Sequence, residues 1–333
     1  MSGIRLRTIT RVLGVSAWGG IIVAASLALA QEPYPTRPVT IWVGFPPGGA
    51  TDILTCILAE GAEKSLGQKL VVVNKPGGGA TVAASQLART KPDGYTIASA
   101  TDTPVTRAPH LRDMDYDPFR DLTYLIQVGL FKLAFVVRAD SPFKSWREMI
   151  EWARKNPGQL VFGQPGAGTT PHLVMAKVGL KDSFTFKSVP FAGDTPTVNA
   201  VLGGHVMLGS VSSLAGRSHI EARAMRVLAV SEKEGLEYAP EAPTLAKLGY
   251  DFEAPTSVIF FAPKGIPDPA RERLEKAFSA AMNTEAFRSA AKRYELIATE
   301  PLTGKALVDY LSRTSARYEQ LVKEAGIYKI ERK

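Results

Sequence analysis

The sequence predicts an α/β protein made of two lobes, each a mixed, mostly parallel sheet flanked by helices. Short apolar runs rich in β-branched residues alternate with stretches of helical periodicity, an order typical of βαβ units. This alternation stops at a polar stretch, residues 110–121, and then starts again. The 333 residues also exceed the usual length of one domain, about 100–200 residues.

The composition excludes several classes of protein. Hydrophobic residues make up 45% of the chain and charged residues 22%, which is an ordinary balance for a globular protein. The single cysteine cannot form an intramolecular disulfide. The four histidines include no HExxH pair, so we do not expect a histidine-built metal site. We expect no other metal and no cofactor.

Residues 1–30 have the layout of a secretory signal peptide. Three arginines precede an apolar run at 12–27, and residues 28–30 read Ala-Leu-Ala. A retained membrane anchor is the alternative, but the run is short for a span of about 20 residues. We therefore expect export to the periplasm, with cleavage near Ala30.

The net charge gives no reason to expect a nucleic-acid partner. It is +8 for the whole chain and falls to +5 without the three arginines of the leader, which contains no other charged residue. The basic runs at 217–226 and 323–333 also contain glutamate, which is typical of a solvated face. Export argues against nucleic acid as well.

Periodicity and turn residues place the elements in chain order. The first half reads as a strand at 40–45, a helix over about 53–66 that Gly67 closes, a strand at 69–74, a helix at 82–90 and a strand at 95–101. The second half reads as a long strand-like run at 122–138, a helix at 145–156, and strands at 159–164, 187–191, 205–211 and 225–230. The last third adds a strand at 258–262, a helix from Asp268 and a final helix at 303–324.

Three loops share a chemistry suited to anions. Residues 45–52, 163–172 and 191–196 each follow a predicted strand, open a predicted helix, and combine glycine with Thr or Asp. A helix N-terminus leaves about four N–H groups unpaired, so it attracts a carboxylate or phosphate without a formal cation. Ordinary capping and turn formation is the alternative for any one loop. Three such loops together predict an anion site in a cleft.

Signals for catalysis are weak. No GxSxG motif is present, and the serines of 210–213 have no evident His/Asp arrangement. Asp52 could act as a base, but its place in the first helical turn favours a capping or hydrogen-bonding role. His172 follows a proline in a first turn, where a structural or capping role is the simpler interpretation. An exported hydrolase is therefore the weakest alternative.

Five motifs together resemble a known family. Residues 43–54 (VGFPPGGATDIL), 73–77 (VNKPG), 92–96 (PDGYT), 166–173 (GAGTTPHL) and 189–193 (VPFAG) are similar to motifs of the Bug-type (TctC-like) solute receptors of tripartite tricarboxylate transporters. The resemblance covers about 34–327. It departs at 254–257, where a tryptophan is common, at Ala50, and at Asp194 and Thr195, which replace smaller residues.

The resemblance implies a two-lobed periplasmic-binding-protein fold, type II-like, with a ligand cleft between the lobes. Lobe 1 would hold 34–128 plus 256–333 and lobe 2 would hold 129–255, with crossings in 122–138 and 252–260. It implies no enzyme activity and no cofactor. It also implies capture of a small organic carboxylate and delivery to a permease with a large and a small membrane subunit. A sensor in a periplasmic signalling system is an alternative, and a monomer is the default expectation.

Ligand-binding positions follow from the same resemblance and from the three helix starts. The expected residues are Phe45, Pro47, Gly48, Gly49, Ala50, Thr51, Asp52, Thr101, Asp102, Thr103, Ala167, Gly168, Thr169, Thr170, His172, Phe191, Ala192, Gly193 and Asp194.

Overall fold

The computed structural model describes residues 34–250, 256–297, 299–324, 326 and 327. The expected leader at 1–30 and residues 251–255 of the second expected crossing lie outside this part of the chain. The strands are β1 (Val39–Val43), β2 (Leu70–Asn74), β3 (Thr96–Thr101), β4 (Leu122–Phe131), β5 (Leu133–Arg138), β6 (Leu160–Gln164), β7 (Phe186–Pro190), β8 (Leu208–Ser212), β9 (Met225–Val230), β10 (Thr256–Pro263) and β11 (Leu302–Thr303).

Helices alternate with these strands. They are α1 (Ala50–Leu66), α2 (Thr81–Ala88), α3 (Thr103–Thr106), α4 (Ala108–Leu111), α5 (Pro118–Asp121), α6 (Trp146–Lys155), α7 (Thr170–Asp182), α8 (Asp194–Leu202), α9 (Ser213–Glu221), α10 (Asp268–Met282), α11 (Glu285–Arg293) and α12 (Gly304–Glu324). Helix α1 ends where Gly67 takes a left-handed conformation, and the Ser145 side chain caps α6, as the sequence predicts. Within the described ranges, no helix is long and apolar enough to cross a membrane.

The first sheet has the order β11-β4-β10-β3-β1-β2. One face packs on α1, α10 and α11 around Leu58, Phe260 and Phe278. The other face packs on α2 and α12 around Leu87 and Leu307. Strand β10 is buried along its whole length because helices cover both faces of the sheet.

The second sheet has the order β7-β6-β8-β5-β9. Helices α6 and α7 cover one face around Phe135, Trp146 and Phe162, and α8 and α9 cover the other around Val201 and Val211. The expectation of two mixed sheets flanked by helices is confirmed. The expected excess of parallel pairs is wrong for the described residues, because five of the nine strand pairs are antiparallel and four are parallel.

A single residue carries the chain from one sheet to the other. Lys132 separates β4 in the first sheet from β5 in the second, so the long run expected at 122–138 forms two strands. Its Nζ donates to the buried Glu295 carboxylate at 3.0 Å. That carboxylate also accepts the N–H groups of Glu237 and Tyr238. The crossing is therefore tied to segments that follow β9 and α11.

A small apolar cluster also joins helices beside the first sheet to a helix beside the second sheet. Leu111 of α4 and Tyr318 of α12 pack with Leu173 of α7. Helices around the first sheet thus contact the start of a helix around the second sheet.

Candidate functional site

A narrow cavity lies between the two sheets, where several strands end and helices begin. The volume open to the centre of a water molecule is about 30 Å³, which is room for one or two waters. Its lining is Phe45, Gly49, Ala50, Thr51, Thr101, Thr103, Phe131, Leu133, Pro165, Thr169, Thr170, Pro171, Asp194, Ser212 and Thr256. Elements of both sheets contribute, as expected for a ligand site in an open α/β fold.

Three helices that begin at the cavity have glycine or a threonine bonded elsewhere at the cap position, whereas Ser212 caps α9 with its hydroxyl. Gly49 precedes α1, Thr169 precedes α7 and Gly193 precedes α8, and none of the three provides a side-chain capping hydrogen bond. Away from the cavity, hydroxyls cap α6 (Ser145) and α11 (Thr284) in the usual way. The N-termini of α1 and α7 thus direct partial positive charge towards the cavity.

Asp194 is the first residue of α8, beside the second sheet, and its side chain reaches the start of α1, beside the first sheet. Its carboxylate accepts the backbone N–H of Ala50, and it also accepts the N–H of Ser212 at 3.2 Å and the Ser212 hydroxyl at 2.8 Å. Burial raises the pKa of the Asp194 carboxyl above its ordinary value, and these hydrogen bonds oppose the rise. One acidic side chain therefore links both halves of the cavity.

The Thr103 hydroxyl is oriented by a buried ion pair. Arg107 and Asp102 are both fully buried and hydrogen-bonded to each other, and the Arg107 guanidinium donates to Thr103 Oγ1 at 3.2 Å. Thr101 Oγ1 also donates to Thr103 Oγ1, at 3.1 Å. A hydroxyl has two lone pairs and one proton, so Thr103 retains its proton for an acceptor in the cavity.

Further hydroxyls gather at the start of α7. Thr256 Oγ1 donates to Thr170 Oγ1 at 2.7 Å, and the buried Tyr318 hydroxyl also bonds to Thr170. Thr169 Oγ1 donates within its own loop, to Gln164 Oε1 and Gly166 O. Burial raises the pKa of Tyr318, while the nearby Arg107 opposes the rise. This end of the cavity presents neutral hydroxyls and backbone N–H groups.

The two sides of the cavity approach each other closely. A Cβ atom added at Gly193 would lie 2.6 Å from Pro46 Cδ, and one added at Gly166 would lie 3.0 Å from Gly79 Cα. Thr195 Oγ1 donates to Pro47 O at 3.5 Å. The loops before α1 and α2 therefore rest directly on the loops before α7 and α8.

Comparison with known proteins identifies the family. The profile of the tripartite tricarboxylate transporter family receptor (TctC) matches residues 54–327. The chain belongs to this family. The TctC-type receptors are substrate-binding proteins and not enzymes, as the sequence motifs led us to expect.

Relatives and solved structures agree with this assignment. A Cupriavidus necator protein, the UPF0065 protein in the gbd 5' region, is 33% identical over 331 residues, 98% of this chain and 99% of its own length. The periplasmic binding protein BugD is 28% identical with a TM-score of 0.84, covering 89% of this chain and 99% of BugD. A Rhodopseudomonas palustris protein solved with adipate is 26% identical with a TM-score of 0.83, over 89% of this chain and 99% of that one.

Nine of the nineteen expected binding residues of this TctC-type receptor line the cavity. They are Phe45, Gly49, Ala50, Thr51, Thr101, Thr103, Thr169, Thr170 and Asp194. Each lies in one of the three helix-opening loops, at the last residue of β3 (Thr101) or at the start of α3 (Thr103). The helix starts that the sequence indicates do meet in one place.

Asp52 and Asp102 lie beside the cavity but do not line it. Asp52 accepts the Gly48 N–H at 2.8 Å and the Asn74 side-chain amide at 2.7 Å, which is the hydrogen-bonding role that its position suggested. The Asp102 carboxylate bonds to Arg107 and lies behind the cavity wall. Both carboxylates hold loops in place.

The other expected residues support the loops or contact the opposite side. His172 Nδ1 accepts the Gly168 N–H at 3.2 Å, and a Cβ at Gly168 would approach Leu111. The side chain of Phe191 packs on the core between the second sheet and α8. Outside the lining are Pro47, Gly48, Ala167, Gly168, His172, Phe191, Ala192 and Gly193.

Six lining residues were not among the expected ones. They are Phe131, Leu133, Pro165, Pro171, Ser212 and Thr256. Phe131, Leu133 and Thr256 flank the crossings between sheets, so the crossing positions in the sequence could have indicated them. No group of three or more His, Cys, Asp or Glu side chains suited to a metal occurs among the residues with described positions.

Proposed function

We propose that this chain is an exported receptor that captures a small carboxylate-containing metabolite between two lobes and delivers it to a tripartite tricarboxylate-type membrane transporter. One observation carries the proposal: the N-terminus of α7, which has no side-chain cap, opens into a cavity between the two sheets that is lined by threonine hydroxyls. Backbone N–H groups and hydroxyls bind carboxylates without a formal cation. The adipate bound to the R. palustris relative supports this ligand class.

In this proposal the lobes are 34–128 plus 256–333 and 129–255, and they close about hinges near residues 129 and 255. The single-residue crossing at Lys132 suits a hinge, because a few residues at the end of an element can absorb such a rotation. The cavity is smaller than a carboxylic acid of several carbons, so a ligand would enter when the lobes separate. Contacts such as Thr256–Thr170 would then form as the lobes close around it.

A thermal-shift and calorimetric screen of the mature chain, residues 31–333, tests carboxylate capture. The panel contains dicarboxylates, tricarboxylates, aromatic acids and amino acids. A ligand at 100 times its Kd stabilises the native state by about 2.7 kcal/mol, a readily measured shift. If no compound shifts the melting temperature of a folded, ligand-free sample, the proposal of a carboxylate receptor is wrong.

A matched pair of variants locates the site. Thr103→Val removes the proton that Thr103 directs at an acceptor in the cavity, while keeping the shape of the side chain. Hydrogen bonds to charged groups contribute about 1.5–3 kcal/mol, so affinity should fall about 10- to 100-fold. Thr90→Val, two residues after the end of α2 and outside the cavity lining, should bind as the wild type does. Equal affinity for both variants would place the ligand elsewhere.

Delivery to a permease needs a separate test. Vesicles holding the two membrane subunits of a tripartite tricarboxylate transporter should accumulate the ligand when the receptor is added with it. Binding without any effect on uptake would leave carboxylate capture intact and refute the transport role.

A further inference from the structure

The cavity lining contains one acidic side chain and no basic side chain among the described residues. Among its lining residues, Asp194 is the only one with an ionisable side chain, and no Lys, Arg or His lines it. The remaining polar groups are hydroxyls and backbone amides. A ligand with two carboxylates would therefore meet the Asp194 carboxylate and no formal positive charge in the lining.

Asp194 already occupies the anion position at the start of α1. Its carboxylate accepts one bond from Ala50 N–H and two from Ser212, and a carboxylate offers about four acceptor sites. One acceptor site thus remains for a donor in the cavity that Asp194 lines. A ligand carboxylate at this end would have to compete with Asp194 for the Ala50 N–H.

The first turns of the three helices also differ in their acidic residues. Asp52 lies in the first turn of α1 and Asp194 in the first turn of α8, whereas the first turn of α7 contains no acidic residue. Thr103 and Thr169 lie near that start, since a Cβ at Gly79 would contact both. The α7 end favours an anion, and the α1 and α8 end favours a cation or a hydrogen-bond donor.

We propose that Asp194 is the specificity-determining residue, and that it selects a ligand with a carboxylate at one end and a protonated nitrogen at the other. The inference rests on the proposed function, because it assumes that a carboxylate binds in this cavity. The carboxylate binds at the α7 end with Thr103 and Thr170. The ammonium group donates to the remaining acceptor site of Asp194, and a second carboxylate at that position is rejected.

Matched ligand pairs test the inference by calorimetry on the mature chain. Each pair consists of a straight-chain dicarboxylate and the ω-amino acid with the same number of carbons: adipate with 6-aminohexanoate, and glutarate with 5-aminopentanoate. A charge-assisted bond gained and a repulsion lost predict that the wild type prefers the amino acid about 10- to 100-fold at the preferred length. Asp194→Asn should abolish or reverse this preference, because the amide keeps the shape and removes the charge.

Two controls separate charge selection from other effects. Asp140→Asn removes one charge from an exposed site and should leave the preference unchanged. The comparison within the wild type needs no variant, so poor folding of Asp194→Asn does not weaken the test. A wild type that binds the dicarboxylate as tightly as the amino acid overturns the role of Asp194 and leaves carboxylate capture standing. If no compound of the screen or of these pairs binds either protein, the proposed function fails and this inference with it.

Discussion

The proposed closure of the lobes can be opposed at a single glycine. Gly193 has an extended backbone, with φ 162°, that other residues adopt, so Gly193→Ala introduces no backbone strain. The new Cβ would lie 2.6 Å from Cδ of Pro46, on the opposite side of the cavity. The substitution therefore affects the contact between the two sides and leaves the packing within each side unchanged.

The distance sets the size of the effect. Two carbon atoms attract best at about 3.5–4.0 Å, so the new contact is about 1 Å too short. Overpacking of this kind costs about 1–3 kcal/mol. Because separation of the lobes relieves it, the ratio of closed to open molecules should fall about 5- to 150-fold. The apparent Kd of a ligand that needs the closed form should rise by up to the same factor, which is reached when the closed form is the minor one in the free protein.

Calorimetry with the best ligand of the panel measures this change, and small-angle scattering with ligand reports the compactness of the receptor. Gly44→Ala is the matched control. Its Cβ would lie 2.3 Å from the Cβ of Ala80, which belongs to the core cluster beside the first sheet, as do Val43 and Phe45 on either side of Gly44. Movement of the lobes cannot relieve that contact, so Gly44→Ala should lower the melting temperature, whereas Gly193→Ala should weaken binding without lowering it.

Two results would refute this reasoning. If Gly193→Ala binds with wild-type affinity, the approach of Pro46 and Gly193 is not part of the ligand-bound state. If it loses affinity and melting temperature together, as Gly44→Ala is expected to, the contact belongs to the folded state as a whole and not to a closing motion.

Three further predictions concern stability, pH and processing. Asp102→Asn removes the carboxylate that neutralises the buried Arg107 charge, so denaturant unfolding should show a loss of about 3–5 kcal/mol. A loss below about 1 kcal/mol would contradict this. Burial raises the pKa of Glu232 from 4.5 to about 7, so the stability that this group contributes is present below pH 4.5 and is lost as the pH rises towards 7. The melting temperature of Glu232→Gln should therefore rise relative to that of the wild type between about pH 5 and 8. Parallel curves of melting temperature against pH would refute the assignment. Protein recovered from a periplasmic extract should begin at Gln31 by intact mass, and an unprocessed chain would contradict cleavage near Ala30.

Much of the fold could be predicted because its signals are local. The apolar run before Gly44 gave strand β1, and Ser145 and Gly67 marked helix boundaries where the structure has them. The short helices α3 to α5 fell within or beside a stretch that reads as polar loop, because four residues are too few to show periodicity. The balance of parallel and antiparallel pairs depends on strand order, which no local pattern specifies.

The parts of the site that are formed by helix N-termini could be predicted from the sequence. A glycine-rich turn followed by Thr is visible in the sequence, so Gly49, Thr51 and Thr169 could be named. The direction of a side chain is not visible: Asp102 and Thr103 are neighbours, yet one is buried with Arg107 and the other lines the cavity. Ser212 was missed because its role depends on Asp194, which is eighteen residues away in the chain.

The helix starts without side-chain caps have a consequence for how such receptors can diverge. Main-chain amides are unchanged by most substitutions, so the grip on a carboxylate can persist while the surrounding side chains drift. If Asp194 sets the preference as proposed, a new ligand requires a change at one or two positions, such as 194, and not the rebuilding of an anion pocket. One scaffold can in this way be adapted to many metabolites by few mutations, each of which leaves the fold and the general affinity for acids intact.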